Sequence, residues 1–222
     1  MTNSRLFTVL AALFGVICGY AAIHGFFLVR TRPVASGAIQ GIFVGIGLAF
    51  LTVHVLANLR VSRVNGWITM YGCGQPGNGM FLRAVCSHTF LGPVNVPQEA
   101  MYWTTSVDGA GRGLSGERAY TMHFPAGGLP PNQAFWSLTM GDAGNRFVPN
   151  PLDRYCVSDR SGLVPNADGS MDIVIQNAAP SDRAANWLPA PSGRFNLWLR
   201  VYMPGAEILE RTYTVPPVLE AK

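Results

Sequence analysis

The residues of this chain whose types and spacing could do chemistry are polar side chains set among aromatic ones. Arg154-Tyr155, Gln176, Asn186-Trp187, Arg200 and Tyr202 bring guanidinium, amide and phenol groups beside indole and phenol rings, and Asp108 and Asp168 add carboxylates. An arginine inside a strand must find a carboxylate, a carbonyl or a ligand once it is buried. Aromatic faces edged with amide and guanidinium donors would suit a carbohydrate or another polar ligand. Pairing within the fold is the commoner fate of such groups. These residues are therefore a candidate ligand or structural cluster, and no catalytic role is assigned to any of them.

The better-known motifs fail on their own chemistry. GCGQPG at 72–77 fits G-x-G-x-x-G between the apolar WITMY and the helix-like MFLRAVCSHTF. Pro76 removes a backbone donor from the turn that should offer donors to a pyrophosphate, and no second βα unit follows to build a parallel sheet. A linker is the better reading. Cys86 and His88 would point about 200° apart on one helix, so they cannot pair there. Cys73, Cys86, His88 and Cys156 lack the paired spacing of zinc ligands, and neither metal nor cofactor is expected. GLSGE at 113–117 places its serine out of frame for a nucleophile elbow. NADGSMD at 166–172 offers oxygens as calcium loops do, but its glycine comes too early and no glutamate closes the loop. Asp168-Gly169 reads instead as a type I′ hairpin turn. With Cys18 set aside, the remaining three cysteines allow one disulfide and a free thiol, or three free thiols.

Two uncharged runs, Leu6–Val29 and Gly37–Leu59, are each long enough to cross a bilayer as a helix. Gly37, Gly41, Gly45 and Ala49 recur every fourth residue, and Ala11, Gly15 and Gly19 repeat the device in the first run. Such small-residue faces let helices pack closely in lipid, so the pair is expected to pack together or to mediate oligomerisation. His24 and His54 fall inside the runs, where a neutral histidine hydrogen-bonded to a neighbouring helix is the expectation. Residues 1–63 carry five arginines and no acid, and residues 64–222 sum to −1. Basic residues clustered beside membrane spans, with none in a stripe elsewhere, exclude a nucleic-acid partner. The arginine count, three against two, slightly favours the larger domain facing the cytoplasm.

After Trp67 the texture changes to turns and short runs. Residues 80–90 read as one short helix, and AMYWTTSV, RAYTMHF, AFWSLTM, RYCVS, MDIVIQ, RFNLWLRVYM and ILERTYTV read as strands. In FNLWLRVYM, Phe195, Leu197, Leu199 and Val201 share one face, while Asn196, Trp198, Arg200 and Tyr202 share the other. The pattern predicts a mainly β protein, an antiparallel sandwich or jelly roll, behind two transmembrane helices. Its expected divisions are a membrane anchor over 1–63, a linker with a short helix over 64–98 and a β-rich domain over 99–222. NWLPAPSGRF at 186–195 is expected to brace a corner of that domain: Pro189 and Pro191 stiffen it, Asn186 ties loop backbone and Trp187 covers apolar surface.

EAMYWTTSVDGAGRGLSGERAYTMHFPAGGLPPNQAFWSLTM, NPLDRYCVS, ADGSMDIVIQ, NWLPAPSGRFNLWLRVYMP and TYTVPPV, in that order over about residues 99–219, resemble the bacterial family catalogued as domain of unknown function 1214. Trp67 and Arg83-Ala84 extend the likeness. The resemblance implies a jelly-roll-like β domain that often follows a companion, domain of unknown function 1254, in the same chain. It also implies anchoring at the bacterial inner membrane with the β domain in the periplasm, against the arginine count. It supplies no catalytic residues. The expected function is a non-catalytic interaction or scaffold subunit of the cell envelope, in contact with membrane lipid. Its protein partner would be a companion-domain protein, another copy of itself or a larger membrane complex. The alternative is an enzyme or binding protein acting on envelope glycans or lipids.

Overall fold

The structure is a computed structural model, and it describes residues 15, 17–20, 33–90, 92–182 and 184–221. The chain divides into two compact units, Met1–Leu59 and Arg60–Lys222.

In the first unit the long helix α1, Pro33–Arg60, has no acidic residue in its first turn and ends on Arg60. Its segment Gly37–Arg60 is the one helix among the described residues long and apolar enough to cross a membrane, which is a weak indication of anchoring. The first expected span, with Ala11 and His24, lies largely outside the described residues. A methyl group placed on Gly15, Gly19, Gly37, Gly41 or Gly45 would meet nothing within 4 Å, so nothing described packs on the expected zipper face. Within α1 the amide of Asn58 reaches the ring of His54 at 3.2 Å and its carbonyl at 2.9 Å.

The second unit is mainly β. Its strands are β1 Ser62–Val64, β2 Trp67–Thr69, β3 Ala100–Thr105, β4 Tyr120–Phe124, β5 Asn132–Asp142, β6 Cys156–Ser158, β7 Met171–Gln176, β8 Trp187–Pro189, β9 Phe195–Pro204 and β10 Val218–Glu220. Two helices, α2 Met80–Phe90 and α3 Ala206–Leu209, interrupt them. Six strands form one sheet in the order β1-β2-β3-β9-β5-β6, and four form another in the order β10-β4-β7-β8. All pairings are antiparallel except β7 with β8, so the smaller sheet is mixed where a purely antiparallel one was expected. β8 tolerates Pro189 because it is an edge strand, where a missing N–H costs no ladder bond.

One core joins the two sheets. Phe195, Leu197, Leu199 and Val201 are buried, as the alternation of β9 predicts, and they meet Tyr120, Met122 and Phe124 of β4 and Ile173 and Ile175 of β7 in a single cluster. Tyr120 sets its ring edge-on to Phe195 at 5.8 Å, and Phe124 lies 5.8 Å from Trp136. Each such side chain removed from water contributes about 1.5–3 kcal/mol, so this cluster is the main stabilising term of the unit.

Four local readings change. The expected linker supplies β2 and the last residue of β1 to the large sheet besides the helix α2, and β1 begins at Ser62 within the stretch expected to be anchor. The β1–β2 turn is Asn65-Gly66, with φ of 55° and 84°, which is the two-residue left-handed geometry of a type I′ hairpin. At Asp168-Gly169 only Gly169 has positive φ, 80°, and its amide returns to the Asn166 carbonyl at 2.9 Å. That is a type I turn followed by a left-handed glycine, leading into β7. ILERTYTV is not a strand: α3 starts it, Arg211 turns left-handed with φ 67°, and the amides of Thr212 and Tyr213 both return to the Glu207 carbonyl. Finally, Cys73 and Cys86 form a disulfide that ties α2 to the preceding turn, and Cys18 and Cys156 are free. GCGQPG is therefore a disulfide-bearing turn. Gly74 is held at φ 75° with the place of its absent Cβ 1.9 Å from the Asn95 carbonyl oxygen, an approach only glycine permits.

Candidate functional site

The candidate residues do not converge on one site. Arg154, Gln176, Asn186 and Trp187 come together where the short 3-10 turn Ala184–Asn186 leads into β8. Arg154 aims one guanidinium nitrogen at the carbonyls of Ala184, Ala185 and Trp187, at 2.9 to 3.1 Å. Asn186, 4% exposed, accepts the Val164 amide and donates to the carbonyls of Val164 and Asp172, at 2.8 to 2.9 Å. The Trp187 indole donates to the Gln176 carbonyl at 2.9 Å, and the Gln176 side chain turns back to the Ala178 carbonyl. Apart from a 3.4 Å contact of the Asn186 amide with the Met171 sulfur, the side-chain partners in this group are backbone. The arrangement is a brace for irregular chain, because buried amides and carbonyls outside a sheet ladder still need partners.

Asp168 sits in the turn before β7, accepting the amide and hydroxyl of Ser170 at 3.0 and 2.6 Å. The Ser170 hydroxyl first, then its amide, hold the Asp168 carboxyl below the usual range. Across the β4–β7 ladder lies a pair that the sequence reading passed over: His123 faces Asp172, with ring nitrogen and carboxylate 2.6 Å apart. Asn166 joins them by donating to Asp172 and Ser170. The signal was available only through the register, since these residues are 49 positions apart.

Asp108 is 1% exposed and clamps its own loop, accepting the amides of Ala110 and Arg112 and the Arg112 side chain. Burial pushes its carboxyl up, but the Arg112 amide, the Arg112 guanidinium and the Ala110 amide together outweigh that and hold it low. Arg112 continues to Glu220 of β10 at 2.7 Å, tying the loop to the edge of the small sheet. Tyr155 hydrogen-bonds to Asp153 at 3.1 Å, which raises its phenol, and lies 5.3 Å from the Phe147 ring.

Arg200 and Tyr202 occupy a separate place, the outer face of the large sheet. The registers set Tyr102, Arg200, Ser137 and Ser158 side by side in one row, with Thr104, Trp198, Thr139 and Cys156 in the next. Tyr202 stands between Ala100 and Phe135 and stacks on the Phe135 ring at 4.4 Å. The Arg160 guanidinium covers Phe135 at 4.5 Å. Trp198 lies over Gly141, where a methyl group would come within 2.5 Å of the indole. Arg200 donates to the Thr139 hydroxyl at 3.1 Å, and no carboxylate pairs with it among the described residues. The face thus combines half-buried aromatic rings, small hydroxyls, the guanidiniums of Arg200 and Arg160 and the exposed Cys156.

Asp108, Asp142 and Asp168 are the carboxyl groups with resolved shifts, and all three move down, away from the neutral form a general acid requires. Among the described residues no three of His, Cys, Asp and Glu are grouped to hold a metal.

Residues 99–206 match the family model described as "Protein of unknown function (DUF1214)", which supports the resemblance carried by the sequence. No curated protein matches the chain. Among solved structures, the VPA0106 protein of Vibrio parahaemolyticus is similar, with a TM-score of 0.61 and 24% identity. That match covers 82% of this chain but 45% of the Vibrio chain, so this chain spans less than half of that protein, and the likeness shows the fold alone. An uncharacterised protein of Burkholderia cenocepacia matches with a TM-score of 0.41 and 15% identity over 61% of this chain and 32% of its own.

Proposed function

We propose that this chain is a membrane-tethered, non-catalytic envelope protein whose β domain docks a protein partner on the outer face of its six-stranded sheet. The observation that carries the reading is the Arg200 row: a guanidinium without a carboxylate, set among Tyr102, Trp198 and Tyr202 on a half-buried face. Tyr, Trp and Arg are the residues that dominate protein interfaces. The other candidates on the β8 side are spent on backbone or on turn clamps, whereas Arg200 and Tyr202 stand on this face. The partner proposed is a companion-domain polypeptide. In the Vibrio protein more than half of the chain lies outside the matched part. Domains normally bury such a face against a covalent neighbour.

The disulfide Cys73–Cys86 supports placing the domain on the periplasmic side, since disulfides persist in oxidising compartments. The jelly-roll assignment belongs to the same reading and rests on the two sheets sharing one core. Cross-linking tests the docking: Cys156 is an exposed thiol on the outer face, and a short maleimide cross-linker attached there in intact cells should capture one defined protein. Arg200→Glu should abolish the capture with the domain still folded. Gentle solubilisation that yields a lone monomer, with no captured protein, would refute the reading. The aromatic face also suits sugar rings, so a glycan binder is the rival; retention of the purified protein on envelope glycans, lost in Trp198→Ala, would favour it.

A further inference from the structure

A cavity of about 340 Å³ opens in the second unit directly at the residue where the membrane-length helix ends. Its walls include Arg60, Trp67, Tyr71, Trp103, Arg211 and Tyr213, and no aspartate or glutamate is among its lining residues. We propose that this cavity seats the phosphate headgroup of an anionic membrane lipid, an inference that rests on the helix ending at Arg60 being a membrane span.

Charge is the first argument. Two guanidiniums line the cavity, and among the described residues no carboxylate pairs with either. Arginine matches phosphate oxygens with parallel N–H donors, so a pair of unneutralised arginines in a concave site is an anion seat of the right geometry. Arg211 is also positioned at a cost. It adopts φ 67°, a left-handed conformation that a branched or long side chain rarely takes and that glycine ordinarily supplies at a helix end. Its guanidinium lies 4.7 Å from the centre of the Tyr71 ring, which fixes it at the cavity wall. Such an outlier points to a requirement for that side chain at that place.

Location is the second argument. Arg60 is both the last residue of α1 and a wall of the cavity, so the cavity lining is joined in sequence to the end of the apolar helix, the level at which a span leaves the bilayer. Tryptophan and tyrosine concentrate at that level of a bilayer, and arginines beside a span attract anionic lipid. Of the four aromatic residues lining the cavity, Tyr71 and Tyr213 are half-buried, while Trp67 and Trp103 belong to the buried core behind its lining. The rings are held firmly: Trp67 donates to the Pro216 carbonyl at 2.8 Å, and Tyr213 to the Gly128 carbonyl at 3.3 Å. The volume accommodates a headgroup and lies at the small end of the range for ligand cavities.

Native mass spectrometry of the full chain in neutral detergent tests this, with phosphatidylglycerol, phosphatidylcholine and inorganic phosphate as probes. Phosphatidylglycerol should bind several-fold better than phosphatidylcholine, and Arg60→Gln and Arg211→Gln should each weaken it about tenfold, the loss of one charge-assisted hydrogen bond. Arg146→Gln, altering an exposed arginine paired with Asp142 and absent from the cavity wall, should bind as the parent does. Equal binding of the two lipids, or unchanged binding in the Arg60→Gln/Arg211→Gln double variant, would overturn the inference. Inorganic phosphate binding as tightly as phosphatidylglycerol would also overturn it, by making the seat one for free anions. Alkaline carbonate extraction of membranes reads the span separately: a chain released by carbonate refutes the tether while leaving the lipid preference measurable.

Discussion

Replacing Asn186 by alanine separates a brace from a ligand site. The side chain accepts the Val164 amide at 2.8 Å and donates to the carbonyls of Val164 and Asp172 at 2.8 and 2.9 Å. Alanine leaves all three backbone groups without that partner. A buried group so orphaned costs about 1–3 kcal/mol. Val164 is 60% exposed, so water replaces part of what its backbone loses, whereas Asn186 itself is 4% exposed and the Asp172 carbonyl faces its vacated place. Taking the low end for the two Val164 groups and the full range for the Asp172 carbonyl gives a total of about 3–5 kcal/mol. For a domain of this size each kcal/mol lowers the midpoint by about 2–4 °C, so Asn186→Ala should unfold roughly 6–20 °C below the parent. Asn186→Asp keeps the acceptor for the Val164 amide but sets a carboxylate oxygen against the two carbonyls, and should fall further. Thermal unfolding of the full chain in detergent, followed by tryptophan fluorescence, reads both. A shift of less than about 2 °C for Asn186→Ala would refute the brace.

Other outcomes follow from the same contacts. Asp108 has its pKa lowered in the fold, so its contribution is complete above the unfolded carboxyl range near pH 4 and is lost as pH falls through the lower folded value. Asp108→Asn should therefore flatten the acid limb of the midpoint–pH curve below about pH 4, and a limb as steep as the parent's would show that other carboxylates carry it. Gly116→Ala puts a methyl carbon 1.7 Å from the Pro191 carbonyl oxygen, so the NWLPAPSGRF loop must move, and chemical denaturation should show a loss above about 2 kcal/mol. A thiol reagent applied to the native, unreduced chain should label Cys156 rapidly and Cys73 and Cys86 only after reduction; labelling of Cys73 beforehand would contradict the disulfide.

What was legible in the sequence was legible because burial on one side leaves a periodic mark. FNLWLRVYM could be read face by face since its inner residues are wholly buried and its outer ones are not, and MDIVIQ matches β7 end to end. The failures came where periodicity is too short to register. β1, β2 and β8 have three residues each, which is scarcely one alternation. The Asn65-Gly66 signal was nonetheless present in the letters and was passed over because its flanks looked like linker. ILERTYTV misled for the opposite reason. Its β-branched and aromatic residues favour a strand, but Gly205 opens a short helix and the Glu207 carbonyl captures both following amides, so local capping overrode propensity.

The candidate site dissolved for a different physical reason. Arg154, Asn186 and Trp187 were correctly marked as groups that must be satisfied, but their acceptors are the carbonyls of Ala184, Ala185, Val164 and Gln176. A carbonyl belongs to every residue, so the partner of a buried donor is invisible in the letters when that partner is backbone, and a brace looks the same as a binding site. The outer sheet face is hidden by topology instead. Arg200 has Tyr102 and Ser137 as neighbours only because β9 lies between β3 and β5, an order that no local pattern encodes. NWLPAPSGRF, the most distinctive stretch of the chain, is thus distinctive for holding the small sheet's edge together. The groups still free to recognise something sit one turn later, on the outward side of the strand that this stretch leads into.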